Sequence, residues 1–334
     1  MSDFFELARR ISRSYPIEES QVVLLESNET LSGSIDPYTW QTYLYIPQNL
    51  EKNFADRGID QQEIPSVMEF LVRHEFGHWK YCPSSKEGIE LVSSGIVDAA
   101  RELRMRASQP MLNYLANLFE DVISNTANMF LSVESLSDRY RTGFEYFYIY
   151  DSKTVLEKLS GEHNFLTPEM QIFLTFQAKL FSISANSQFN RYIQSVAAKK
   201  EKTGEGSAGF NIELATDQFS RIIAGVSFSK LGQLSIEEKE EIARELVSPS
   251  VWYYRSKEMA KLLLPFMRDN FLPFNFVVAE IRHPDKDSEA KPVKIPFKGR
   301  RRVERAFRGF GLWRSVRVEE IQGGNTFKRV VLDA

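Results

Sequence analysis

The sequence predicts an α+β fold, predominantly helical, in which a small N-terminal sheet packs on one long helix and a helical region follows. Three observations carry this. Two β-like runs precede residue 50, Gln21 to Leu25 (QVVLL) and Thr39 to Ile46 (TWQTYLYI), the second alternating and rich in aromatic and β-branched residues. Ser66 to Tyr81 (SVMEFLVRHEFGHWKY) keeps Val67, Phe70, Leu71, His74 and His78 on one helical face. From Lys86 onward helical periodicity continues almost without relief.

In chain order, Asp3 to Arg13 reads as an amphipathic helix; its early acids and the lack of an uninterrupted apolar run are not those of a signal peptide. Asn28 to Pro37, between the two β-like runs, is turn-forming and too short for a crossover helix, so the small sheet is expected to be antiparallel. Pro65 suits the first turn of the next helix, where its missing N–H leaves nothing unsatisfied. Cys82-Pro83-Ser84-Ser85 ends that helix. Further helices are expected over Lys86 to Ser108, Pro110 to Leu131, Ser135 to Tyr150, Pro168 to Ser184, Asn186 to Ala198 and Ile212 to Leu231. Another starts at Ser235, where Ser235 and Glu238 form a capping-box pattern ahead of Ile242 and Leu246. Lys199 to Gly209 (KKEKTGEGSAG) has almost no apolar content and reads as a linker or exposed loop. Val316 to Leu332 holds two strand-like runs around Gly323-Gly324, a β-hairpin pattern.

Length and composition bound the organisation. At 334 residues, with 43% hydrophobic and 13% aromatic content, the chain can bury a large core in one big domain or two ordinary ones. The expected division is 1–150 as a core built around the motif helix, 151–284 as a helical region on or beside it, and 285–334 as a basic C-terminal segment. The most apolar later stretch, Leu262 to Ile281, is broken by Pro265, Arg268, Asp269, Asn270 and Pro273, so no membrane span is expected. A single cysteine, Cys82, excludes an intramolecular disulfide and a thiolate cluster and suits a reducing, cytoplasmic setting. Any metal site must therefore come from histidines and carboxylates.

Such a site is what Ser66 to Tyr81 offers. His74 and His78 lie four residues apart, so on a helix they stack on one face about 5–6 Å apart at Cβ. Two imidazoles so placed reach one ion at about 2.0–2.1 Å, with Glu75 beside them to act on a water. A histidine on an apolar face is often only a core residue. Here, however, two of the four histidines in the chain form the motif, a coincidence expected on the order of a few times in a thousand chains of this composition.

A catalytic zinc site takes three protein ligands and one open position. Downstream, Asn113, Asn117, Glu120, Ser124 and Asn128 form a stripe with no Lys or Arg, opposite Leu112, Leu115, Phe119, Val122 and Ile123. Short polar groups around one carboxylate suit a partly buried cluster, which makes Glu120 the expected third ligand, with Asp121 and Ser124 as acceptors that orient an imidazole. Asp98 and Glu102, one turn apart and surrounded by Arg101, Arg104 and Arg106, are the rival carboxylates. His163 and His283 lie beside loop-like residues and read as surface histidines.

HEFGH on one helix, with Phe119-Glu120-Asp121 on a second, resembles the gluzincin metallopeptidases, in particular compact thermolysin-like catalytic cores. The resemblance covers roughly Gln21 to Phe130. It implies a zincin-like core in which a twisted sheet packs against the active-site helix and an edge strand, here Thr42 to Ile46, pairs with an extended substrate. It also implies zinc held by His74, His78 and Glu120, with Glu75 as the base. Two departures are visible: Ser124 stands where the family pattern has an Asp four residues after the Glu ligand, and the interval from His78 to Glu120 is longer than usual.

The expected function is zinc-dependent hydrolysis of peptide bonds in protein or peptide substrates. Donors for the oxyanion are open among Tyr146, Tyr148, Tyr150, His163 and the Tyr253-Tyr254-Arg255 run. Between Lys291 and Arg317 ten basic residues and one acid give a local charge of +9, against −12 for the rest of a chain whose total is −3. Phe297, Phe307, Phe310 and Trp313 are interleaved with these arginines, which suits an acidic protein partner or nucleic acid. The alternative function is therefore a silent zincin-like scaffold or a binding module acting through this segment.

Overall fold

The computed structural model describes Arg10 and residues 22–27, 31–35, 42–47, 49–132, 137–158, 167–203 and 211–267, together with strand residues 281–282, 316–321 and 327–332. The rest of the stretch Asp3 to Arg13, where a helix is expected, together with His163, His283 and the basic stretch up to residue 315, lies outside the described residues.

Three strands, β1 (Val22–Ser27), β2 (Ser32–Ile35) and β3 (Thr42–Pro47), form the first sheet in the order β1-β3-β2. The expected antiparallel pairing of the first two β-like runs does not hold: β1 and β3 are parallel, from Val22 opposite Thr42 to Ser27 opposite Pro47. The reason is β2, a short strand hidden in the turn-forming stretch, which pairs antiparallel with the far side of β3, Gly33 opposite Leu44. Thr42 to Ile46 is consequently the central strand, bonded on both sides, and cannot be an edge; among the described residues the edges are β1 and β2. Along β3, Thr42, Leu44 and Ile46 are buried while Tyr43 and Tyr45 are half-buried, the alternation of a strand with one face on the core.

The helices are α1 (Leu50–Asp56), α2 (Ile64–Tyr81), α3 (Lys86–Glu102), α4 (Gln109–Phe130), α5 (Ser137–Lys158), α6 (Pro168–Leu180), α7 (Gln188–Thr203), α8 (Ile212–Ala224), α9 (Phe228–Leu231), α10 (Ile236–Leu246) and α11 (Pro249–Met267). The protein is thus α+β and predominantly helical. Local chemistry sets most of the boundaries. Pro65 lies in the first turn of α2, and the extended Cys82 followed by Pro83 stops it. Ser85 caps α3 by accepting from Gly88 N at 3.0 Å, and Ser108 caps α4. The capping box at Ser235 and Glu238 is present, with both hydrogen bonds made.

Other boundaries differ from expectation. Gly225, with φ of 72°, ends α8 in the left-handed region and splits the single helix expected over Ile212 to Leu231. α7 continues to Thr203, through the first part of the stretch expected to be a loop, because alanine and lysine are strong helix formers; 204–209 lie outside the described residues. α5 runs without a break past Tyr150 to Lys158. Helices α1 and α11 have no clear counterpart in the sequence pattern; α11 tolerates Pro265 near its C-terminal end.

α2 is the centre of the packing: β2 lies on it, and α4 and α5 flank it. Val67, Met68, Phe70, Leu71, Val72 and Phe76 are each at most 1% exposed, and full burial of such side chains is worth about 1.5–3 kcal/mol apiece. Two glycines let the neighbours come close. A Cβ on Gly77 would collide with Ser124 and Asn128 of α4, and one on Gly143 of α5 would collide with the backbone of Ser66. One apolar cluster runs from Leu31 to Met267, so α6, α10 and α11 share the core of the motif helix. In the C-terminal segment, β5 (Val316–Ile321) and β6 (Phe327–Leu332) pair antiparallel, Val316 opposite Leu332, and β4 (Ile281–Arg282) adds to β6. Among the described residues no helix is long and apolar enough to cross a membrane.

Candidate metal centre

His74 and Glu75 are buried, and His78 opens slightly more, one turn before the end of α2. The close approach allowed by Gly77 aims the polar stripe of α4 at this turn. Ser124 Oγ donates to the His74 carbonyl at 2.8 Å and Asn128 Nδ2 donates to the Arg73 carbonyl at 2.9 Å, so short polar side chains satisfy one another in a buried interface.

The carboxylate that meets the histidines is Asp121. Its Oδ1 lies 3.4 Å from His74 Nε2 and 3.2 Å from His78 Nε2, and the two Nε2 atoms are 3.1 Å apart. Three ligand-type atoms form a near-equilateral triangle. Tetrahedral zinc with nitrogen and oxygen ligands at about 2.0–2.1 Å places its ligands about 3.3 Å from one another, so the triangle fits one such ion on its face. His74, His78 and Asp121 are the group among the described residues able to hold a metal.

Glu120, the expected third ligand, points elsewhere. Its Oε2 lies 3.7 Å from His78 Nδ1, on the side of the ring away from the triangle. It is therefore placed to orient His78, while the neighbouring Asp121 takes the position expected of it. Ser124 bonds main chain and no imidazole. The rival pair is consumed by α11: Asp98 accepts from Tyr253 Oη at 2.8 Å and from Arg101, and Glu102 pairs with Lys257 at 2.5 Å and Lys261 at 3.4 Å.

Asn125 completes the support and was not singled out by the sequence pattern. Its Oδ1 lies 2.8 Å from His74 Nδ1 and accepts from Tyr140 Oη at 2.9 Å, while its Nδ2 donates to Tyr148 Oη at 3.4 Å. With the Asn125 amide oxygen toward the ring and toward Tyr140, His74 donates from Nδ1 and presents the lone pair of Nε2 to the triangle. Phe70 stacks on the same imidazole with ring centroids 5.6 Å apart. Asn117 Nδ2 donates to Asp121 Oδ2 at 3.2 Å, which leaves Oδ1 as the inward oxygen. The signal available in the sequence was the spacing Asn117, Asp121, Asn125, a second polar row beside the one through Glu120.

The electrostatics follow from this crowding. Burial alone would raise the Asp121 pKa, but hydrogen bonds and charge from His74 and His78 outweigh it and hold the carboxyl at about 2. Burial would lower the His78 pKa, yet the carboxylates of Asp121 and Glu120 beside it bring it well above the ordinary imidazole value. Two nitrogens and an oxygen this close need a hydrogen or a metal ion among them, and in the metal-free state an imidazole N–H serves. Burial pushes the Cys82 thiol up to about 11, and its Sγ donates to the Glu120 carbonyl at 3.2 Å, so it remains a neutral thiol outside the triangle. Glu75 is raised by burial against the pull of the two imidazoles.

Of the oxyanion candidates, Tyr148 is linked to His74 through Asn125, and burial first, then the charges of Asp121 and Glu75, keep its hydroxyl protonated. Tyr150 is committed to Leu31 N at 3.3 Å, Tyr253 to Asp98, and Arg255 to Glu245; Tyr254 is 64% exposed. Comparison with protein-family models, curated proteins and solved structures gives no match.

Proposed function

We propose that the protein is a zinc-dependent metallopeptidase of the zincin-like type, with His74, His78 and Asp121 as ligands and Glu75 as the general base. The observation that carries the reading is the triangle of His74 Nε2, His78 Nε2 and Asp121 Oδ1 with a buried carboxylate on the next residue of the motif helix. Nitrogen and carboxylate ligands without sulfur suit zinc used in catalysis. Bound there, the ion supplies Lewis acidity, lowering the pKa of a water toward about 7 and polarising a carbonyl.

The chain's own residues do the rest. Asn125 holds the His74 imidazole in orientation by a hydrogen bond at its Nδ1 side, and the Glu120 carboxylate faces Nδ1 of His78 as a charge partner. Glu75, its basicity raised by burial, accepts the proton of the attacking water and returns it to the leaving amine. The edge strand β2, which passes over Glu75 at Gly33, is suited to pair with an extended peptide along its outer side. One free cysteine suits a reducing compartment such as the cytoplasm.

Glu75→Gln tests the reading. It keeps shape and hydrogen bonding but cannot take the proton, so folded, zinc-loaded variant should lose hydrolysis of an unstructured protein substrate that the wild type cleaves. Unchanged cleavage by the variant places the activity at another site. A wild type that binds zinc and cleaves nothing favours the scaffold function instead.

A further inference from the structure

The strand that covers the base carries a glycine with no conformational reason to be there. Gly33 is in the middle of β2, and the glycines with positive φ among the described residues are Gly58 and Gly225, so Gly33 adopts backbone that any residue can adopt. A glycine inside a strand weakens it and marks close approach of another group. That group is Glu75: a Cβ built on Gly33 would lie 2.5 Å from Glu75 Cγ, 2.5 Å from Oε1 and 2.7 Å from Cδ.

We propose that Gly33 is the positioning residue of the catalytic base: the missing side chain forms the slot that holds the Glu75 carboxylate under the edge strand, at the place where a peptide paired to that edge would present its bond. The three atoms nearest to such a methyl group all belong to one flexible side chain, from Glu75 Cγ outward. Substitution should therefore displace the carboxylate and leave the backbone, His74, His78 and Asp121 in place. The role in turnover rests on the metallopeptidase reading; the slot itself does not.

Gly33→Ala, Glu75→Ala and the double variant test both parts. In metal-free protein, Gly33→Ala should lower Tm by a few degrees when Glu75 is present and leave it unchanged or raised when residue 75 is alanine, because alanine is otherwise the better strand residue. The Co(II) absorption spectrum should match wild type in all four proteins, and kcat of Gly33→Ala should fall about a hundredfold with KM little changed. Equal destabilisation in both backgrounds, or an altered Co(II) spectrum in Gly33→Ala, would overturn the slot. If the Tm cycle holds and wild-type protein hydrolyses nothing, the slot stands and the hydrolase reading fails.

Discussion

Replacing Asp121 and Glu120 in turn separates a ligand from its neighbour. Asp121 Oδ1 stands 3.4 and 3.2 Å from the two Nε2 atoms, whereas the Glu120 carboxylate reaches only the Nδ1 side of His78, at 3.7 Å. Loss of an outer partner of a ligating histidine costs about 10–100-fold in metal affinity. Glu120→Ala should fall at the lower end of that range, since Glu120 is the more exposed of the two carboxylates, 29% against 17%. Asp121→Ala removes one of three ligands together with the charge that offsets the dication, and its loss should exceed a hundredfold, or more than about 3 kcal/mol. The assay is competition for zinc against a chelator of known affinity at fixed pH, with circular dichroism to confirm the fold. A larger loss in Glu120→Ala than in Asp121→Ala would refute the reasoning and return the third ligand to Glu120.

Other outcomes follow from the same geometry. Asn125→Leu should weaken zinc binding by about 10–100-fold with the ligands intact, because the His74 tautomer is no longer held; titration as above checks it. Metal-free protein should have a bounded pH optimum of stability. The Asp121 carboxyl, lowered from 3.8 to about 2, contributes about 2 kcal/mol that is present above pH 3.8 and lost as pH falls toward 2. His78, raised above 6.5, contributes stability that is complete below pH 6.5 and lost as pH rises through its folded value; urea titrations of wild type against Asp121→Asn and His78→Gln read the two limbs, and a pH profile that neither substitution changes would contradict them. Asp98→Ala should leave zinc affinity unchanged while lowering Tm, since its partners are Tyr253 and Arg101. A chain truncated after Arg282 should keep zinc, and any partner bound by Lys291 to Arg317 should be lost with the segment; if that partner is nucleic acid, its affinity for the full chain falls steeply with salt.

The motif helix and its caps were legible because they are written in local chemistry: two histidines at i and i+4, Pro65 at the start, Cys82-Pro83 at the end, Ser235 with Glu238 further on. That α4 faces α2 with its polar side was legible too, since Ser124 and Asn128 of the stripe do reach α2 carbonyls. Which carboxylate enters the triangle was not. Glu120 and Asp121 are adjacent, about 100° apart around the helix, and the polar face is two rows wide, one through Glu120 and Ser124 and one through Asn117, Asp121 and Asn125. The choice depends on how α4 is rotated against α2, which is settled by tertiary packing around Gly77. β2 was hidden for a different reason: Ser-Gly-Ser-Ile has poor strand propensity and reads as a turn. It is a strand because Leu44 and its neighbours in β3 offer it a hydrogen-bonding partner. Missing that strand reversed the expected pairing of β1 with β3 and put the free edge in the wrong place.

The metal centre itself is tested most directly by zinc-edge X-ray absorption on the zinc-loaded full chain. One zinc per chain is expected, bound by nitrogen and oxygen alone at about 2.0–2.1 Å, with two imidazoles among the ligands. A sulfur neighbour at about 2.3 Å, which only a Cys or Met side chain such as Cys82 could provide, or a chain that takes up no zinc at all, would contradict it.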